Sequence, residues 1–253
     1  MPRVNDLLEL SKFIAGRAGL RLLSFTDEHK SYVHGRNLTT EIKAVADTVL
    51  ERDILQALLP TGLPILSEES GDIPAQDDSD YRFVVDPLDG TFNFVKGLGP
   101  SAVSIALWRE QTPVFGVIYC LPERQLFWGG PGIGSFADGK RISVSTTSSP
   151  AQASICTGFP VRFDVTSDAA MQIFWRTVKP YAKVRMIGAA AASLLYVARG
   201  SADAYVERNI MLWDVAAGIA IVEGAGGKVR CDPGTVDYSL DVHASNGILS
   251  VAD

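Results

Sequence analysis

Apolar residues at Val4, Leu7, Leu8, Leu10, Phe13, Ile14, Ala18 and Leu22 recur every three or four positions and predict an amphipathic helix over 4–23. After a polar stretch at 24–37, Thr39 or Thr40 is placed to cap a second helix. It would run through Val45, Val49, Ile54, Leu55 and Leu58 and end at Pro60 and Gly62. The rhythm then changes. Short apolar runs at 64–70, 83–85, 101–108, 113–120 and 124–129 read as strands, with 71–80 and the glycines of GGPGIG as loops. Strands this close together predict antiparallel pairing. Further on, 153–160, 183–188, 202–207 and 228–231 read as strands, and 166–180, 189–200 and 213–227 as helices. Blocks of helices and strands without strict alternation give an α+β fold, with helices covering sheets. The low-complexity stretch 143–152 is a seam between two subdomains, 1–145 and 146–253.

Composition narrows the picture. With 47% hydrophobic residues among 253, the chain is no disordered segment and is long enough for a sizeable core. A net charge of -6 argues against a nucleic-acid partner, which would demand a basic excess. Cys120, Cys156 and Cys231 form no CxxC pair and read as three buried thiols, outside any disulfide or zinc site. The charged start and the lack of a long apolar run exclude a signal peptide and a membrane span, so a soluble, cytoplasmic protein is expected. Trp108, Trp128, Trp175 and Trp213 read as core residues. His29, His34 and His243 show no ligand spacing and read as surface or capping groups.

Four acids each end an apolar run: Glu68 in LSEES, Asp86 and Asp89 in VVDPLDGT, and Asp214 in LWDVAAG. An acid placed after buried residues is costly unless a positive charge compensates it. DPLDG alone is compatible with a turn in which the two Asp side chains cap around Pro87. However, Pro87 fixes its own φ and lets Asp86 and Asp89 converge, and Gly90 and Thr91 offer amides to an anion. All-oxygen ligands select a hard cation such as Mg²⁺. Acids beside an anion cradle make sense when divalent ions bridge them, which is the arrangement of metal-assisted phosphoryl hydrolysis.

At SEES (67–70), DPLDGTFNF (86–94) and WDVAAGIAIVEGAGG (213–227) the chain resembles the inositol monophosphatase family of lithium-sensitive, Mg²⁺-dependent phosphatases. GVIYC, GIGSFADGKRISVS, TGFP (157–160) and GSADAYVE (200–207) extend the resemblance to the C-terminal region. It implies a layered α/β/α/β/α sandwich and a homodimer. It further implies that Glu68 is a metal ligand, that Asp86 bridges two Mg²⁺ ions with the Leu88 carbonyl on the first, and that Asp89 and Asp214 complete the second. Gly90 and Thr91 would bind phosphate through N–H groups, and the Thr91 hydroxyl would orient the attacking water. Glu207, Arg185 and Ala189 would lie at the substrate end.

The family also carries an acid ahead of the second helix that helps the threonine. In GRNLTTEIKAVAD, anchoring on the threonines puts Lys43 at that place, whereas anchoring on the acid puts Asp47 there with Arg36 as its basic partner. A lysine would replace the third, weakest ion and leave a two-metal enzyme, so two or three Mg²⁺ ions are expected. Phe92 stands where a smaller polar residue is common. The expected substrate is a small polyol phosphate such as inositol 1-phosphate. Histidinol phosphate, fructose 1,6-bisphosphate, 3′-phosphoadenosine 5′-phosphate and a weakened binding or regulatory role are the alternatives.

Overall fold

A computed structural model describes residues 3–34, 42–75, 79–161 and 163–249, without the side chains of residues 33, 34, 42 and 43. In chain order the elements begin with α1 (Val4–Leu23), β1 (Tyr32–His34), β2 (Ile42–Ala44) and α2 (Val45–Leu58). Then come β3 (Ile65–Ser67), β4 (Gly71–Ile73), β5 (Tyr81–Asp89), α3 (Thr91–Lys96), β6 (Ser101–Arg109), β7 (Thr112–Leu121) and β8 (Gln125–Gly130). β9 (Gly134–Ala137), β10 (Lys140–Ile142), β11 (Ser154–Thr157), α4 (Asp168–Val178), β12 (Lys183–Met186) and α5 (Ala190–Ala198) follow. The last are β13 (Ala204–Met211), α6 (Leu212–Gly224), β14 (Lys228–Pro233) and β15 (Ser239–Ser245).

Among the described residues one sheet has the order β10-β9-β8-β7-β6-β5-β3-β4, antiparallel except where β3 runs parallel to β5. The second has the order β12-β11-β13-β15-β14, with β11 parallel to both of its neighbours. Side chains alternate between the faces of a strand, and β6 uses both faces. Val103, Ile105 and Leu107 join the core under α1 and α2, whereas Ala102, Ala106 and Trp108 join a core shared with α5, α6 and the second sheet. On the far side of that sheet, Val178 and Phe174 of α4 pack on Ile155 and Ala204. The layers are therefore helices, sheet, helices, sheet, helix. The chain crosses from the first sheet to the second through 143–153.

Several expectations need correction. The second helix starts at Val45, because Ala44 is extended (φ −105°, ψ 160°) and residues 42–44 pair with β1. Thr39 and Thr40 lie outside the described residues. β4, β9, β10 and β15 were read as loops or left unread; the first three are only three or four residues long, and β4 and β9 start at glycine, so they show no usable alternation. Cys120 and Cys156 are buried, but Cys231 is exposed on β14, and all three are free thiols. Trp108 is core, whereas Trp175 is exposed and Trp213 lines a cavity. His243 is buried in β15, not a surface group. No described helix is long and apolar enough to cross a membrane.

Candidate active site

The first sheet delivers its acids through an irregularity. β5 pairs with β6 in register as far as Asp86↔Ser104, then slips, and pairing resumes at Asp89↔Ala102. Pro87 has no N–H to give the ladder, and the slip turns Asp86 and Asp89 toward one centre. Asp86 is fully buried; its Oδ1 accepts the Leu88 N–H at 2.9 Å, and Oδ2 has no hydrogen-bond partner among the described residues. Asp89 is received by the N-terminus of α5, where Ala190 and Ala191 donate their N–H groups to it at 3.1 and 2.8 Å.

The other acids come from helix starts and from the end of β3. Asp214 sits in the first turn of α6 and accepts the Met211 N–H at 3.3 Å. Glu68 follows β3, which is parallel to β5, and its N–H donates to the Val85 carbonyl at 3.2 Å. Asp47 lies in the first turn of α2, its Oδ2 accepting the Ala44 N–H at 2.8 Å. Its Oδ1 is 2.9 Å from the Thr91 hydroxyl, which is also 3.0 Å from the Leu88 carbonyl. Asp47, one of the two positions left open by the sequence, thus reaches Thr91. The Lys43 side chain, like Arg36, lies outside the description.

Two trios of carboxylates result, Asp86, Asp89 and Asp214 in one and Asp47, Glu68 and Glu69 in the other. Within each, ligand atoms lie within 4.8 Å of one another. Burial is the main cause of the raised pKa values of Asp47, Glu68, Asp86 and Asp89, with repulsion from neighbouring acids next. Asp89 rises to about 8, helped by Asp214, and Asp47 to about 6. Glu68 and Asp86 are also pushed well above the ordinary carboxylate range, first by burial and then by neighbouring acids. An all-oxygen donor set, repelling itself around a buried carboxylate oxygen with no partner, fits a hard divalent cation.

Glu68, Asp89 and Asp214 of these acids line a cavity of about 330 Å³ together with Thr91, Phe159, Val161 and Glu207. At Gly90 the backbone is left-handed (φ 78°), and an added Cβ would lie 3.0 Å from both the Ala189 Cβ and the Pro100 carbonyl oxygen. Burial pushes Glu207 up to about 8. Its carboxyl lies against Gly158, where an added Cβ would lie 2.6 Å from Oε1. Ala189 lines the cavity as well, and Phe92 stands 47% exposed at its edge. Arg185 is not brought there. It sits on the exposed edge strand β12, and its guanidinium donates to the neighbouring Val184 carbonyl at 3.0 Å.

Three supporting residues escaped the sequence reading. Glu51, buried on α2, accepts hydrogen bonds from the Ser67 hydroxyl and from the Ser70 N–H and hydroxyl, and so holds the loop that carries Glu68. Its signal was available, as an acid one turn after Asp47 on a helix face shared with Leu50, Ile54 and Leu58. Glu69 joins the second trio, and SEES shows it as plainly as Glu68. Asn93 donates to the Pro100 and Ile187 carbonyls at 2.9 and 2.8 Å, a link between distant segments that leaves no local trace.

Comparison with known proteins agrees with this architecture. The model of the inositol monophosphatase family matches residues 7–251. A fructose-1,6-bisphosphatase/inositol-1-monophosphatase of Thermococcus kodakarensis is 34% identical over 222 residues, 87% of this chain and 81% of that protein. Nus factor SuhB of Pasteurella multocida is 35% identical, over 90% of this chain and 86% of its own. The solved structure of an inositol monophosphatase from Anabaena (Nostoc) superposes with a TM-score of 0.80 at 31% identity, covering 97% of this chain and 92% of that one. With its fold and its near-complete match, the chain belongs to the inositol monophosphatase family, whose members are phosphatases that hydrolyse phosphoric monoesters.

Proposed function

We propose that the protein is a Mg²⁺-dependent phosphomonoesterase acting on a small polyol phosphate such as inositol 1-phosphate. The observation that carries this reading is the pair of carboxylate trios, whose members Glu68, Asp89 and Asp214 line one cavity together with Thr91. Asp86, Asp89 and Asp214, with Glu68 and the Leu88 carbonyl, would hold two ions, and Asp47 and Glu69 offer oxygens for a third. When bound, the ions supply positive charge that neutralises the phosphate and makes a water nucleophilic.

The chain's own residues prepare that reaction. With a value near 6, Asp47 is ionised at neutral pH, so it holds the Thr91 proton and leaves the hydroxyl's lone pairs to accept from, and aim, the attacking water. The N–H groups of Gly90 and Thr91 take the phosphate, and glycine at position 90 is what the tight contact with Ala189 permits. Glu207, whose carboxyl burial pushes up, lines the same cavity and would contact substrate hydroxyls. Arg185 has no part in this reading. Lithium sensitivity, a homodimeric state and a cytoplasmic location complete the proposal on family likeness alone.

The test is phosphate release from inositol 1-phosphate, histidinol phosphate, fructose 1,6-bisphosphate and 3′-phosphoadenosine 5′-phosphate, with Mg²⁺ and Li⁺ titrated. Inositol 1-phosphate is expected to give the highest kcat/KM. If no ester releases phosphate with Mg²⁺ present, the reading fails; if another ester leads, only its substrate assignment does.

A further inference from the structure

A second cavity, of about 460 Å³, lies on the face of the second sheet turned away from α5 and α6, with α4 as one wall. The sheet separates it from the active cavity, and Glu207 is the one described residue lining both. Strand register explains its lining. Val206, His243 and Arg230 form one cross-strand row over β13, β15 and β14, and Asp241 and Asp232 pair two residues along on the same face. Arg208 continues that face of β13, and Arg176 enters from the last turn of α4.

Three guanidiniums here meet two carboxylates. Arg230 is 3.2 Å from Asp232, and Arg208 is 4.0 Å from Asp241, whose other oxygen already accepts the Asn209 N–H at 2.9 Å. Among the described residues Arg176 has no ion pair. Arg176 and Arg230 line the same cavity, one from α4 and one from β14. His243 adds no opposing charge; burial and Arg230 lower it to about 4, and its buried Nε2 has no described partner. In a chain of net charge -6, this cavity gathers three arginines with Asp232 and Asp241, and shares Glu207 with the active cavity.

We propose that this groove is a binding site for a small phosphomonoester, with the phosphate on Arg176 and Arg230 and the organic part along Val206 and Ile173. The volume supports an organic group, since it falls in the range of small-molecule sites and exceeds what a bare phosphate fills. None of the six clustered carboxylates lines this cavity, and the phosphate contacts proposed here do not involve the shared Glu207.

Calorimetric titration of the full chain in chelator tests it, since hydrolysis is then suppressed and the clustered acids repel anions. Glycerol 3-phosphate is expected to bind at one site, and inorganic phosphate several-fold more weakly. Arg176→Ala with Arg230→Ala should weaken glycerol 3-phosphate by about tenfold or more. Arg176→Ala alone, at an exposed position that cannot unfold the chain, should weaken it several-fold, and high salt should do the same. No heat from glycerol 3-phosphate, or unchanged affinity in the single and double variants, would overturn the site. Equal affinity for inorganic phosphate would overturn its assignment to a monoester.

Discussion

Asp86 places one carboxylate oxygen on a backbone N–H and leaves the other among like charges. Asp86→Asn keeps the first contact and removes the charge. It should lower Mg²⁺-dependent turnover by about 10³-fold or more, roughly 4 kcal/mol of barrier. In chelator its melting temperature should equal or exceed the parent's, since repulsion from Glu68, Asp214 and Asp89 is relieved. Activity within about tenfold of the parent would remove Asp86 from the centre. Thr91→Val keeps the branched shape and deletes the hydroxyl between Asp47 and Leu88, so kcat should fall by about 10²-fold while half-saturation by Mg²⁺ holds. Thr91→Ser should recover most of the loss; a valine variant with normal kcat would rule out a water-aiming hydroxyl. At this scale Glu68, Asp86, Asp89 and Asp214 were visible because each ends an apolar run. The partner of Thr91 was not, since Asp47 is 44 residues away and only packing brings it there.

Elements convert those residues into a site. The strand-like runs of β5, β6 and β7 showed in the sequence because long buried strands bounded by turns leave a clear pattern, whereas β4, β9 and β10 exist only through pairing with neighbours. The polar start of α2 was misplaced for a related reason: its capping acid is Asp47, three residues after the extended Ala44, and not an upstream threonine. α2 also reaches the β3 loop through Glu51. Glu51→Ala strands the Ser67 and Ser70 donors in a part-buried setting and should destabilise the protein by about 2–4 kcal/mol in denaturant unfolding. The Mg²⁺ needed for half-maximal activity should rise as Glu68 loses its support. Glu51→Gln, which still accepts, should recover much of the stability. If alanine there shifted stability but left the Mg²⁺ requirement untouched, Glu51 would be a packing residue with no positioning role.

For the whole molecule, burying this many acids reverses the usual relation between pH and stability. Asp89 and Glu207 titrate near 8 and Asp47 near 6 when folded, against ordinary values of about 4, chiefly because burial disfavours their charged forms. Between those limits the folded chain holds more protons than the unfolded one, so stability falls as pH rises. His243 works the other way. Lowered to about 4 from 6.5, it adds stability as pH rises through that window and is spent above it. The window from 6.5 to 8 therefore belongs to the acids, Asp89 and Glu207 foremost. In chelator the melting temperature should drop across it, by about 2–4 °C for each kcal/mol lost in a chain of this size. Mg²⁺ binding the acids of the active centre must displace protons at the lower pH and few at the upper one, so the rise it produces should be larger at pH 8. Melting curves at both ends of the window, with chelator and with saturating Mg²⁺, measure both effects. A metal-free melting temperature that climbed with pH would mean the carboxylates are not packed against one another in solution. A Mg²⁺ shift independent of pH would mean the ion binds somewhere other than these protonated acids.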